Sequence, residues 1–297
     1  MKNGGLTALV AEGGAMKGCY VAGVLKALFE LNIKHFDIVV GSSASAATTA
    51  YFVTDQLYEG IKIWENELNK EFLNWFGLLK GRLLNLDYLV DYLMKEKIPL
   101  DIKKLKNSNT LFYIPVTKYK TASPSFFSNK QLDEDELFKA IKASMALPVA
   151  YDKPVKIRNA FYVDGGLTVP IPVEPIYKAH NEVKNVIVIS TKPKDYRHRN
   201  PFLLSLLFWY KSRKLPKALK EVMSERKKYH EEAWKKVREL QKDRNVIVIR
   251  PKEELPIGKY DNNKERIKRT IEQGVEDVRN LSDEEKEKLE VFKTHSS

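Results

Sequence analysis

Two periods of hydrophobicity alternate along the chain. Short, nearly unbroken apolar runs occupy residues 6–11, 36–40, 111–117, 160–163, 186–190 and 246–250, with a briefer one at 125–127. Such runs fit strands buried on both faces. Between them, apolar residues three and four apart predict helices: Val21, Val24, Leu25, Leu28 and Leu31 within 16–31, then 86–97, then a long amphipathic helix over 217–243. The alanine-rich segment 44–53 is helix-competent, and a helix is predicted over 133–145, where Asp133 and Glu136 carry the spacing of a capping box. A short helix to His180 follows the prolines at 170, 172 and 175. Strands alternating with helices imply an α/β fold whose mostly parallel sheet is covered on both faces. Residues 55–107 read as a mainly helical insertion or cap, with Trp75, Phe76, Leu78 and Leu79 assigned to core filling rather than to an acyl groove. A single domain over 1–281 is expected, containing a basic amphipathic region at 197–244 and followed by a charged, frayed tail at 282–297.

Composition narrows the function classes. With 297 residues, 43% of them hydrophobic, the chain can bury a large core. The expected location is cytoplasmic, because no basic start leads into a long apolar stretch. The longest apolar run, 202–210, falls well short of the roughly 20 residues that span a bilayer as a helix. A single cysteine, Cys19, excludes an intrachain disulfide and a thiolate metal cluster, and no metal or organic cofactor is implied. The net charge of +12 is concentrated: residues 184–250 hold 19 Lys and Arg against 7 Asp and Glu, and the remainder is balanced. Within that stretch Phe202, Leu203, Leu206, Leu207 and Trp209 precede Lys211, Arg213 and Lys214. The pattern fits peripheral docking on an anionic membrane surface, at about 1 kcal/mol per basic residue. It fits equally a buried helix beside a solvated basic one. No zinc-finger, helix-turn-helix or RNA-binding motif is present, so a nucleic-acid partner is not expected, and the oligomeric state is open.

Three turns carry candidate chemistry: Gly13-Gly14-Ala15-Met16-Lys17-Gly18, Gly41-Ser42-Ser43-Ala44-Ser45 and Asp164-Gly165-Gly166. A serine at a sharp strand-to-helix turn presents its hydroxyl clear of the backbone, although Ser43 alone reads equally as a helix cap. Glycines after a strand present consecutive amides to a developing oxyanion. The same spacing, Gly13-x-Ala15-x-x-Gly18, imitates a dinucleotide fingerprint, but Asp37 begins the second strand, whereas a ribose-binding acid belongs at that strand's end. A carboxylate leaving a strand into two glycines has room to meet the serine, and burial would raise its pKa toward that of a general base. The histidines His35, His180, His198, His230 and His295 have no compelling neighbours and are assigned structural or surface roles. A triad through His180 or a later histidine is the second choice.

These turns together resemble the patatin-like phospholipase family, whose pattern is G-G-G-x-[RK]-G, then G-x-S-x-G, then D-G-[GA]. The resemblance extends over Glu12 to Leu25, Ala143 to Pro148, Tyr162 to Pro172 and Ile189 to Tyr196. It implies a three-layer α/β/α sandwich and a Ser–Asp dyad: Ser43 as nucleophile, Asp164 as its base, and Gly13, Gly14 and Ala15 as oxyanion donors. Lys17, Ser45, Gly165 and Gly166 would support them. Ala15 and Ser45 stand where the family has glycine. The implied activity is hydrolysis of a lipid ester, of phospholipase A or lysophospholipase type. The alternatives are a short-chain carboxylesterase or thioesterase using the same dyad, and a lipid-binding protein whose elbow has decayed.

Overall fold

The computed structural model describes residues 5–293 apart from 81, 174–175, 177–181, 195, 197–209 and 211. Its centre is an eight-stranded sheet. Strand β1 (Leu6–Ala11) pairs in parallel with β2 (Ile38–Gly41) and with β7 (Val183–Ile189). Beyond these lie β3 (Leu111–Lys118), parallel to β2, and β8 (Asn245–Ile249), parallel to β7. Antiparallel pieces complete the β3 end: β4 (Pro124–Ser128) and β6 (Ala160–Asp164) pair with β3, and β5 (Val155–Ile157) with β6. Strand β5 has three residues, too few for a periodicity to register.

Side-chain alternation splits the parallel strands between two layers. Leu9, Ala11, Val39, Ile187, Ile189, Ile247 and Ile249 join the larger core, with α1 (Cys19–Glu30), α2 (Ala44–Val53), α5 (Glu134–Met145), α8 (Lys264–Arg279) and α9 (Asp283–Lys293). Ala8, Val10, Ile38, Val40, Val186, Val188 and Val246 face the other way, against Trp234 and Val237 of α7 (Arg226–Asp243). The architecture is therefore a three-layer α/β/α sandwich with a mixed sheet. Between β2 and β3 run α3 (Leu57–Lys62), π-helical segments at Ile63–Glu67 and Asp87–Lys97, a 3-10 turn at Trp75–Lys80 and α4 (Ile102–Asn107). The capping box at Asp133 and Glu136 forms in both directions.

Three expectations need correction. The helix predicted over 217–243 is broken: α6 (Lys217–Ser224) and α7 meet at Glu225. Leu219 and Val222 of α6 pack with Val163 and Leu167, whereas Trp234 and Val237 of α7 pack on the sheet, and one straight rod cannot serve both surfaces. The tail is not frayed up to residue 293. Ser282 and Glu285 cap α9 reciprocally, Leu289 and Phe292 are buried, and the Phe292 ring lies 5.6 Å from that of Phe36. Trp75 and Phe76 are not core filling, being 46% and 94% exposed. The side chains of Leu78 and Leu79 and the apolar run 202–209 lie outside the described residues, as do His180, His198, His295 and Lys211. Among the described residues no helix is long and apolar enough to cross a membrane.

Candidate active site

Strand pairing explains why residues 121 apart in sequence meet. At Tyr113, β3 pairs with β2 and β4 at once, so those two strands take opposite edges of β3. At Val116 and Thr117 it pairs with β4 and β6, so β6 lies on the same edge as β2. Because β2 runs parallel and β6 antiparallel to β3, their C-terminal ends point at each other across a gap beside Ile114 and Pro115. Ser43 follows the end of β2, and Asp164 is the end of β6.

In that gap the Ser43 hydroxyl donates to Asp164 Oδ2 at 2.8 Å, with no imidazole between them. Ser43 has φ +53°, a left-handed conformation that turns its side chain out of the strand-to-helix path. The strain is held from two sides. Ser43 N–H donates to Ser144 Oγ at 3.0 Å, and Ser144 Oγ in turn donates to the Pro115 carbonyl at 2.7 Å. Asp164 Oδ1 accepts from Gly166 N–H at 2.7 Å, and the Asp164 carbonyl from Thr117 Oγ1 at 2.8 Å. Asp164 is 6% exposed, and burial pushes its carboxyl above the ordinary range despite the opposing pull of Ser43, Gly166, Arg226 and Lys259.

The glycine turn lies directly beside the elbow. A Cβ on Gly13 would meet Ser43 Cβ at 2.5 Å, so only glycine allows this approach. The amides of Gly13, Gly14 and Ala15 donate to no other described residue, and all three residues line the pocket with Ser43 and Asp164. Ala15 has φ +50°, the geometry for which glycine is suited. Ala15→Gly is expected to leave stability within about 1 kcal/mol, since relief of about 1–2 kcal/mol of strain is offset by unfolded-chain entropy; thermal unfolding of the pair checks this. Ser45 uses its extra atoms, because its hydroxyl donates to the Glu12 carbonyl at 2.7 Å and ties the elbow to the glycine turn. Lys17 is 6% exposed, with Nζ 4.7 Å above the Tyr196 ring, and burial lowers its pKa.

Sequence reasoning overlooked the Glu12 network. Glu12 is fully buried, accepting from Lys192 Nζ at 2.5 Å, Ser190 Oγ at 2.5 Å and Thr191 N–H at 3.2 Å, with His230 Nε2 3.0 Å away. Burial opposes ionisation of this carboxyl, but Lys192 and His230 outweigh it and hold the pKa well below the usual range. His230 thus has a charged partner and faces the pocket, contrary to the expectation that it lacks a compelling neighbour. A signal existed, since Glu12 is an acid placed directly after the mostly apolar strand β1 and before the glycine turn. The pocket has two characters. Tyr51, Ile63, Trp64, Phe72, Leu89 and Met94 form an apolar wall, much of it contributed by the segment between β2 and β3. Glu12, Lys192, Arg226, His230 and Lys259 form a charged one. The described residues contain no His, Cys, Asp and Glu grouping suited to a metal.

The model of the patatin-like phospholipase family matches residues 9–177, more than half of the chain. The chain belongs to this family. A second model, a domain of unknown function (DUF6363), matches residues 216–290. The patatin-like chain is 31% identical over 197 residues to YjjU of Escherichia coli (strain K12), an uncharacterized protein; the match covers 64% of this chain and 53% of YjjU, so it spans about half of that relative's length. It is 21% identical over 224 residues to the probable lipid hydrolase 463L of Invertebrate iridescent virus 6, covering 68% of this chain and 74% of that protein. Among solved structures, VipD from Legionella pneumophila shares the fold, with a TM-score of 0.52 at 13% identity over 97% of this chain and 67% of VipD.

Proposed function

We propose that this patatin-like chain is a serine lipid acyl hydrolase of phospholipase A or lysophospholipase type. The observation that carries the reading is the 2.8 Å hydrogen bond from Ser43 to a buried carboxylate at the junction of an apolar wall and a row of free amides. Ser43 Oγ attacks the ester carbonyl while Asp164 Oδ2 takes its proton. The amides of Gly13, Gly14 and Ala15 stabilise the tetrahedral oxyanion. Asp164 returns the proton to the leaving alkoxide, then takes a proton from the water that cleaves the acyl-enzyme and gives it back to the departing Ser43 Oγ. The acyl chain lies against Trp64, Phe72 and Met94. A fluorophosphonate probe tests this scheme: one adduct, on the peptide that contains Ser43, is expected, and the absence of labelling would favour a decayed, lipid-binding protein.

Contact with a lipid surface belongs to the same proposal. Phe76 is exposed in the 3-10 turn Trp75–Lys80, whose Trp75 stacks edge-on at 6.4 Å with Tyr260 in the pocket lining. Tyr210, 63% exposed, with Arg213 packed 5.8 Å from its ring centre and Lys214 exposed, borders the undescribed apolar run. An exposed aromatic turn that touches the pocket wall through Tyr260 suits insertion among lipid headgroups at the inner face of the membrane. Phe76→Ser is expected to lower the ratio of vesicle hydrolysis to soluble-ester hydrolysis about tenfold, the loss of one buried phenyl ring. An unchanged ratio, with unchanged flotation on anionic vesicles, would remove Phe76 from the docking surface.

A further inference from the structure

The charged wall has no task in acyl transfer. Lys192 is neutralised by Glu12. The Arg226 guanidinium and the Lys259 ammonium, which line the same pocket, form no ion pair or hydrogen bond with another described residue. Both line the pocket together with Ser43 and Asp164, and each favours the ionised form of Asp164. Lys259 is anchored there by its backbone: its carbonyl accepts from Met16 N–H, 3.2 Å away, at the end of the glycine turn. Arg226 is the first residue of α7. Burial first, and then Arg226, Lys192 and Lys17, push the Lys259 ammonium down to about 7, as expected where cations gather without enough counter-charge. A desolvated, unpaired ammonium such as that of Lys259 is costly, and an anionic ligand removes that cost. Arg226, His230, Lys259 and Tyr260 all belong to the segment matched by the domain of unknown function.

We propose that this segment builds the headgroup half of the site, where Arg226 and Lys259 hold the phosphate of a net-anionic phospholipid or lysophospholipid and disfavour a zwitterionic choline headgroup. The proposal rests on the acyl-hydrolase reading above and adds the charge of the substrate. An Arg fork and a Lys point charge suit phosphate oxygens, while the surrounding positive field repels a quaternary ammonium.

Binding is measured first in Ser43→Ala protein, so that no turnover is required, with dodecyl phosphate, dodecylphosphocholine and inorganic phosphate as probes. Dodecyl phosphate is expected to bind at least about tenfold more tightly than dodecylphosphocholine, the effect of one charge-assisted contact. Inorganic phosphate should bind far more weakly than either. Arg226→Gln and Lys259→Gln should each abolish the preference, while Arg226→Lys and Lys259→Arg, which keep the charge, should retain most of it. Equal affinity for the two amphiphiles, or a preference that survives both glutamine substitutions, overturns the headgroup site. Inorganic phosphate binding as tightly as dodecyl phosphate also overturns it, making this a free-phosphate site. In the active protein, kcat/KM for lysophosphatidylglycerol over lysophosphatidylcholine of equal chain length should follow the same order, through KM. Intact binding preference without ester turnover would overturn the hydrolase reading and leave the anion site standing.

Discussion

Asp164→Asn is expected to lower kcat on a long-chain ester about 10³–10⁴-fold with little change in KM. General-base transfer is worth about 10²–10⁴, and the lost charge beside the reacting hydroxyl adds to that. The amide can still accept from Gly166 N–H and occupy the same space, so the loss reports proton transfer rather than collapse of the gap. Ser43→Ala should cost as much or more. The double variant should be no worse than the poorer single one, because the two groups act as one unit through a single hydrogen bond. The pH profile gives a second check. Asp164 works as the carboxylate, so wild-type kcat/KM falls as pH drops through its pKa, which burial places above the ordinary carboxylate range. Arg226 and Lys259 pull the other way, so removing either cation should move the acid limb to higher pH. Residual activity above about a tenth in Asp164→Asn, with the acid limb unmoved, would exclude Asp164 as the base.

Part of this geometry was legible because turn chemistry is local. Gly13, Gly41 and Asp164 each lie within two residues of the end of an apolar run, and the strand-to-turn pattern identifies them without reference to the rest of the chain. The same holds for the elements themselves: most strands follow from short unbroken apolar runs and most helices from the 3.6-residue period, and Asp133 with Glu136 marks a helix start. Which edge of β3 each strand occupies is not local. The meeting of Ser43 with Asp164 depends on β4 taking the far edge, and no residue near either position encodes that. Contacts such as Glu12 with His230, 218 residues apart, are invisible for the same reason. The misassignment of Phe76 has a different origin. A run of apolar residues cannot say which of them finds a partner, and here Phe72 is buried while Trp75 and Phe76 are exposed.

Gly23→Ala is expected to cost about 2–4 kcal/mol, even though alanine is the better helix former by about 1 kcal/mol. Helices α1 and α8 cross at a pair of glycines. A Cβ on Gly23 would lie 1.9 Å from the Ile271 carbonyl oxygen, and one on Gly274 2.5 Å from that of Tyr20. The obstacle is backbone in a buried helix, so no rotamer change can relieve it and α8 must move outward. That movement strains the hydrogen bond from Tyr20 Oη to Asp277, 2.8 Å long, and opens the core around Ile267, Ile271 and Val275. At roughly 2–4 °C per kcal/mol for a large domain, Tm should fall by about 5 °C or more. Gly258→Ala supplies the control, since the nearest heavy atom to its Cβ is Asp261 Cβ at an ordinary 3.7 Å, and it should stay within about 0.5 kcal/mol. The packing also reaches the pocket, because α8 starts four residues after Tyr260. A displaced α8 should therefore raise KM for lipid substrates before kcat changes. A Gly23→Ala protein as stable as wild type would mean that the two helices separate without penalty, and that the Lys259–Tyr260 wall is not fixed by their crossing.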